Sequence, residues 1–430
     1  MNGKRGSPPQ AGRRADRGAS GEFLLGVVLL AALFSMGQAH RSSGGVLSTV
    51  FWDEFGLSPS LIALLVGSLF IAQGLGQVPG GLFVDRFGTR KTLAFFGSVA
   101  SAGCVVVAVS GDWRGVLAGR ALIGLGFAPM LSGAVSYFLE WSEGERLSTL
   151  TGRFLSMGMI GGLLGTGPLS YAIETFGWRA VYMAAALLTL VFSAIIFFVL
   201  KEAPAARDAP PVRSTMIEVV RGFVVVAKSP DVRLILVVAP FLYAPAQLLV
   251  GLWAGPYLAD IHGLDPVARG TCLTVMMVGM GLGVLVYGPV ETLVGRRKPV
   301  VICGALTVAI LSAALALVGH RSLVLAVLLA AAITLSSTFF VVVIAHAQSM
   351  FSKSFSGRSV GMIGLLGVSG IFLCQNVSAW IISLFPAPPG STGSLGGYQA
   401  IFLSMATVFA AIALAYTRTR ERPATGPGQS

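Results

Sequence analysis

The chain has 430 residues, of which 54% are hydrophobic and only 11% charged, with a mean hydropathy of +0.81. A soluble domain carries about 25% charged residues, so this composition excludes a water-soluble globule and leaves most of the surface to lipid. The formal net charge of +12 would suit a nucleic-acid binder, but the basic residues fall between apolar segments in a pattern of membrane orientation.

Residues 1–22 are polar, basic and rich in Gly and Pro, the composition of a disordered tail. Apolar segments follow at 23–51, 60–83, 92–110, 114–138, 152–173 and 178–200. A polar connector over 201–230 contains Pro204, Pro210 and Pro211, then an expected amphipathic helix from Ser214 to Ala227. A second set lies at 232–259, 267–292, 299–319, 322–350, 359–385 and 399–417, and residues 418–430 form a basic tail. Lipid forbids unpaired backbone groups, and nothing alternates like barrel strands. The fold class expected is all-α integral membrane: twelve transmembrane helices in two pseudo-symmetric six-helix bundles, 23–200 and 231–417.

With an inside amino terminus, the inside segments hold 24 of the 30 Lys and Arg. The outside holds Arg114, Arg179, Arg269 and Arg321, and two lie within spans, Arg41 and Arg120. This bias predicts cytoplasmic termini in a multi-pass inner-membrane protein. A competing reading takes Phe23–Phe34 and Gly37-Gln38-Ala39 as a signal peptide. Its removal would break an internal repeat.

That repeat has an offset of 207 positions. Residues 81–91 read Gly-Leu-Phe-Val-Asp-Arg-Phe-Gly-Thr-Arg-Lys, and residues 288–298 read Gly-Pro-Val-Glu-Thr-Leu-Val-Gly-Arg-Arg-Lys. The same register carries Asp53 onto Asp260, Gly56-Leu57 onto Gly263-Leu264, Pro59 onto Pro266 and Gly74-Leu75-Gly76 onto Gly281-Leu282-Gly283. A long ungapped register in an apolar chain means duplication of a membrane unit.

Gly81, Asp85, Arg86, Gly88, Arg90 and Lys91 resemble the loop between helices 2 and 3 of the major facilitator superfamily. Gly81 would permit a tight turn or close packing, and Asp85 would accept hydrogen bonds from a helix amino terminus or an Arg across the interface. The second copy keeps Gly288, Gly295, Arg296, Arg297 and Lys298, but Thr292 replaces the Asp, with Glu291 adjacent. A charge latch is therefore expected in the first half. Arg120, Gly124 and Gly126 resemble the family's helix 4 motif, where the Arg is associated with proton coupling or with structural bonding to helix 1. Gly177-Trp178-Arg179 is also typical. Gly158, Gly161, Gly162, Gly165 and Gly167-Pro168 loosely resemble an exporter motif in helix 5, and close helix packing explains them as well. Gly361, Gly364, Gly367 and Gly370 form a ridge in helix 11. The resemblance implies alternating access around a midplane site in a monomeric carrier.

Helix 1 is interrupted by Gln38-Ala-His40-Arg41-Ser42-Ser43-Gly44-Gly45. Arg41 lies too deep to snorkel easily, and an ionisable residue at that depth marks a functional site by default. Every Asp and Glu falls in a loop or near a helix end, so no mid-membrane carboxylate neutralises Arg41 or Arg120. The cavity is therefore expected to be positive and to favour an anion, with Arg suited to carboxylate or phosphate. Residues 37–91 also resemble, more weakly, the anion:cation symporter family of organic-anion carriers, in which an Asp-Arg pair in helix 1 meets the substrate. Here His40-Arg41 takes that place, and Phe127 stands where the family tends to have Glu. His40 is either a proton carrier or a hydrogen-bonded core residue. Gln73, Tyr243, Gln247, Gln375 and Asn376 complete the candidate substrate-binding set, with Gln247 at the repeat position of His40; His346 and Gln348 rank lower.

No phosphate-binding GxxxxGK loop, zinc spacing or nucleophile–base constellation occurs, and Cys104, Cys272, Cys303 and Cys374 sit in apolar segments. No cofactor, metal, nucleic acid or enzymatic activity is expected. The function expected is secondary transport of a small organic anion by alternating access, with H+ and Na+ as the candidate coupling ions and uniport left open. The alternatives are a proton-coupled exporter of drug-like or amphiphilic compounds and a non-transporting membrane sensor on a transporter fold.

Overall fold

The computed structural model describes residues 10–141, 147–202, 216–218, 221, 227, 230–350 and 353–419, and those residues contain helices and no strand. Most of the connector, including most of the expected helix from Ser214 to Ala227, lies outside them.

Span 1 comprises Gln10–Ser42 and Gly44–Phe55. The backbone is helical from residue 10, so the stretch expected to be disordered up to residue 22 is partly an extension of span 1. Propagating an existing helix costs far less than nucleating one. The break at Ser43 follows from the sequence. The hydroxyls of Ser42 and Ser43 donate back to the carbonyls of Gln38, Ala39 and His40, which competes with the helical ladder.

Spans 2 and 3 are two helices within Pro59–Val109, joined without an intervening loop at Gly88. Gly88 has φ 78° and ψ 167°, a conformation open only to glycine, and this is where the chain turns from one span to the next. Span 4 is Trp113–Phe127 and Met130–Trp141, interrupted beside Pro129. Span 5 is Leu147–Leu164 and Gly167–Phe176, and span 6 is Trp178–Val199.

Span 7 is the least regular. Pro230–Val238 passes through a 3-10 turn at Ala239–Phe241 to Ala244–Leu248, then a π turn at Leu249–Trp253 and Ala254–His262. Pro240 and Pro245 remove two backbone donors, and a π turn frees carbonyls for other partners. Span 8 is Pro266–Val294, span 9 Arg297–Val318, and span 10 Leu323–Ser337 with Phe340–Met350. Span 11 is Lys353–Ser383 and span 12 Leu395–Tyr416.

Ten helical segments among the described residues are individually long and apolar enough to cross a membrane. One of them contains both spans 2 and 3, which meet at Gly88, and the broken span 5 fills the remaining place in the expected order. Spans 1–6 pack chiefly on one another, as do spans 7–12. The two sets meet where span 1 crosses span 7, span 2 lies on span 11 and span 5 lies on span 8. We call the end carrying residues 86–91 and 296–298 the basic face and the other end the opposite face.

The loop repeat is only partly as expected. A Cβ built on Gly81 or Gly288 meets nothing within 4 Å, so Gly81 serves neither a tight turn nor close packing here. The neighbouring Gly80 is the close contact, against Pro129. Asp85 is exposed at the end of span 2. In the second copy Glu291 Oε1 accepts from Arg297 Nε at 2.6 Å, so that loop carries its own ion pair despite lacking the Asp. Lys298 donates to the Thr419 carbonyl at 3.0 Å.

Candidate functional site

Arg41 projects between the two sets of spans. Its Nη1 donates to Gln73 Oε1 on span 2 at 3.4 Å, and its guanidinium lies 5.6 Å from the centre of the Phe70 ring. Tyr243 of span 7 lies nearby. Arg41 remains partly exposed. A guanidinium has five donors, so a single long hydrogen bond leaves most of its capacity for a ligand. Phe70 gives it a cation–π neighbour that sequence reading missed, since one Phe in an apolar helix carries no distinguishing signal.

Arg120 is enclosed, with no accessible surface. Nε donates to the Leu65 carbonyl at 3.1 Å, Nη2 to the Val66 carbonyl at 3.2 Å and Nη1 to Tyr182 Oη at 3.2 Å. The expected choice between substrate contact and structural pairing falls to pairing in this conformation, and the partners lie on spans 2 and 6 rather than span 1. The motif glycines have the same purpose. A Cβ on Gly124 would run into the Leu69 carbonyl, and one on Gly126 into the span 3 backbone at Ala100 and Phe96. Close approach of span 4 brings the guanidinium to those carbonyls.

His40 is enclosed as well, between the rings of Phe127 and Tyr182 at centroid distances of 5.8 Å, with Nε2 3.5 Å from Cys104 Sγ. These are the surroundings of a core histidine. His346 is likewise buried, 2.7 Å from Tyr416 Oη, and Gln348 is exposed.

The polar residues of spans 7 and 11 meet. Gln375, fully buried, donates through Nε2 to the carbonyls of Gln247 at 3.2 Å and Gly251 at 3.4 Å, the latter within the π turn. Both amides keep a buried Oε1 with no partner among the described residues. Asn376 Nδ2 is returned to its own helix at Phe372, 2.8 Å away. Tyr243 is partly exposed and stacks edge-on with Phe340 at 4.6 Å. The set expected from sequence thus divides by exposure: Arg41, Tyr243 and Asn376 are partly exposed, whereas Gln73, Gln247, His40, Arg120 and Gln375 are buried.

Towards the opposite face the two sets are closed. A Cβ on Gly44 would strike the Gly251 carbonyl, and Ser48 Oγ donates to the Leu252 carbonyl at 3.2 Å. Between spans 5 and 8, Thr166 and Thr274 hydroxyls are 3.0 Å apart, and Ser170 Oγ donates to the Pro266 carbonyl at 2.5 Å. The helix 5 glycines pack closely, as expected: Gly158 and Gly161 against span 1, Gly162 against Met277 and Gly167 against Thr274. Gly367 and Gly370 of the span 11 ridge lie on Tyr243 and Pro240. Above this seal is a cavity of about 280 Å³ lined by spans 1, 5 and 8, among them Asp53, Glu174 and Arg269.

The sequence profile described as the Major Facilitator Superfamily matches residues 24–268 and 236–430. The chain belongs to this superfamily. It is 22% identical over 399 residues to a hexuronate transporter of Bacillus subtilis, covering 90% of this chain and 92% of that one. It is 33% identical over 135 residues to a probable anion transporter of Arabidopsis thaliana chloroplasts, covering 30% of this chain and 25% of that one. A probable sulfoacetate transporter of Cupriavidus necator is 22% identical over 182 residues, 42% of each chain. The matched part is thus less than half the length of several curated relatives. Among solved structures, the nucleoside transporter NupG superposes with a TM-score of 0.72 at 16% identity, covering 91% of this chain and 98% of that one. A bacterial homolog of the lysosomal transporter Spinster, inward-facing and unoccupied, gives 0.70 at 14% identity, covering 94% and 99%. At these identities the structural likeness speaks for fold alone.

Proposed function

We propose that the protein is a secondary transporter of a small organic anion, working by alternating access, with Arg41 as the charge anchor. The observation that carries this is the state of Arg41: an intramembrane guanidinium, partly exposed between the halves, with one long hydrogen bond and no carboxylate at its depth among the described residues. A charge held in that way is costly unless a ligand completes it. Gln73, the hydrogen-bond partner of Arg41, and Tyr243 nearby on span 7 supply polar groups of both kinds. The names of several relatives, which include hexuronate, sulfoacetate and anion transporters, are consistent with this charge preference.

The test is counterflow in proteoliposomes preloaded with carboxylates, phosphate esters, sugars or lipophilic cations. Exchange of carboxylates that is lost in Arg41→Ala, with the variant still folded, supports the anchor. Exchange of lipophilic cations instead, unaffected by Arg41→Ala, overturns it in favour of an exporter. No exchange of any solute favours the sensor.

A further inference from the structure

A cluster of polar atoms without partners lies at the opposite face, inside the second half. Tyr257 and His262 stand near the end of span 7, and His320 lies in the 3-10 turn Gly319–Arg321 between spans 9 and 10. Tyr257 Oη, His262 Nε2 and His320 Nδ1 are closed to solvent, and none has a hydrogen-bond partner among the described residues. They surround one point of the backbone, Gly319. The Tyr257 and His262 rings meet edge-on with centroids 5.5 Å apart. A Cβ built on Gly319 would lie 3.0 Å from Tyr257 Oη. The His262 ring hydrogen-bonds the Gly319 carbonyl, and His320 lies nearby. The two histidines are far apart in sequence, so no spacing marks the pair.

A buried polar atom without a partner is costly, and three around one residue call for a shared ligand. The chemistry of the atoms narrows it. The acids nearest in sequence are engaged elsewhere. Asp260 accepts from Tyr398 Oη at 2.6 Å and Gly393 N at 2.9 Å, and Asp265 caps span 8 through Val267 N and Ala268 N. Calcium and magnesium, which require oxygen ligands, are therefore unsuited, whereas imidazole suits zinc, copper and nickel. The hydrogen bond to Gly319 and the unpartnered Nε2 together put the His262 proton on Nδ1 and leave Nε2 bare. A metal-ligating histidine is prepared in the same way, its other ring nitrogen donating to a carbonyl.

We propose that His262 Nε2 and His320 Nδ1 bind a divalent ion of the zinc, copper and nickel class, with Tyr257 Oη holding a water on that ion. Two protein ligands leave coordination positions for water. The ion joins the end of span 7 to the turn between spans 9 and 10, so it stabilises the second half. The site requires nothing of Arg41 and is independent of the anion reading.

Thermal unfolding of the full chain in detergent, free of any affinity tag and titrated with Zn2+, reads the site by mass action. Zn2+ raises the unfolding temperature saturably, and Mg2+ and Ca2+ do not. His262→Ala and His320→Ala each move the half-effect concentration up by about tenfold or more, and Tyr257→Phe moves it less. Electron paramagnetic resonance with Cu2+ counts the ligands. The chain has four histidines, and His40 and His346 are buried, so couplings from two nitrogens identify this pair, and each alanine variant reduces them to one. No Zn2+-dependent shift overturns the site and leaves the three atoms to water. A shift unchanged in both alanine variants means an adventitious ion elsewhere and overturns it equally. If the alanine variants do not fold, the nitrogen count in the parent protein decides.

Discussion

Arg41 and Arg120 occupy opposite environments, although the sequence presents them alike. Arg120 is sealed behind three hydrogen bonds to Leu65, Val66 and Tyr182, while Arg41 has one bond of 3.4 Å to Gln73 and stays partly exposed. Neither has a carboxylate beside it among the described residues. Arg120 is stabilised by oriented dipoles, which a guanidinium fork can engage in three directions at once.

Arg120→Lys therefore destabilises the fold by about 2–4 kcal/mol, since an ammonium at that position cannot reach all three acceptors and the loss of charge-assisted bonds is not compensated by water. Thermal unfolding in detergent measures this. Transport per folded molecule survives, because Arg120 offers no surface to a ligand. A lysine variant as stable as the parent contradicts the hydrogen-bond account.

Arg41 reverses both expectations. Arg41→Ala removes a charge that nothing in the empty protein neutralises and loses only one long hydrogen bond, so the unfolding temperature without ligand stays level or rises. On the proposed anion reading, affinity for a bound carboxylate falls by about 30- to 100-fold, the range of one lost charge-assisted interaction. Arg41→Lys keeps the charge and loses the bidentate fork, giving an intermediate affinity. Calorimetric titration with whichever carboxylate exchanges in the counterflow assay orders the three proteins.

The glycines separate into those that bear on packing and those that do not. A methyl group on Gly124 meets the Leu69 backbone, which cannot yield as a side chain would, so Gly124→Ala costs about 1–3 kcal/mol. Gly81 and Gly288 look into open space, and each alanine there is neutral or stabilising by up to about 1 kcal/mol, because alanine is the better helix former. Melting curves of the single variants decide. A destabilised Gly81→Ala would show that span 2 packs there in a state other than this one.

The sequence made the doubled architecture legible because duplication preserves spacing, and because lipid reduces the possible spans to helices. Arg41 was legible for the same reason: an ionisable residue mid-span is rare. The break near Ser43 was legible as the polar interruption of helix 1. The backbone geometry at Gly88 was less so, since hydropathy averages over about a helix length and carries no dihedral information. The π turn at Leu249–Trp253 has a mark in Pro256, which withholds the helical donor from the Leu252 carbonyl, but hydropathy does not show it. The carbonyls of Gly251 and Leu252 are taken up by Gln375 and Ser48, partners on other spans. The division of candidates into open and enclosed was beyond sequence too, because the rotation of each helix about its axis is set by neighbours rather than by its own residues.

Gln375 provides a direct check on that turn. Its orientation is fixed chemically: two backbone carbonyls, of Gln247 and Gly251, face one amide terminus, so the donor must be there and the unpartnered oxygen must be on the other side. Gln375→Met removes the donor but also removes the orphaned acceptor, and the two losses largely offset, leaving a cost of about 1 kcal/mol. Gln375→Glu keeps the shape and places oxygen against oxygen in a fully buried position, where the carboxyl must either carry a proton or repel both carbonyls. Its cost is about 3 kcal/mol or more. The glutamate variant, though nearer in shape, is thus the less stable of the two in a thermal melt. The reverse order would mean that the amide is turned the other way and that the π turn is held by something else.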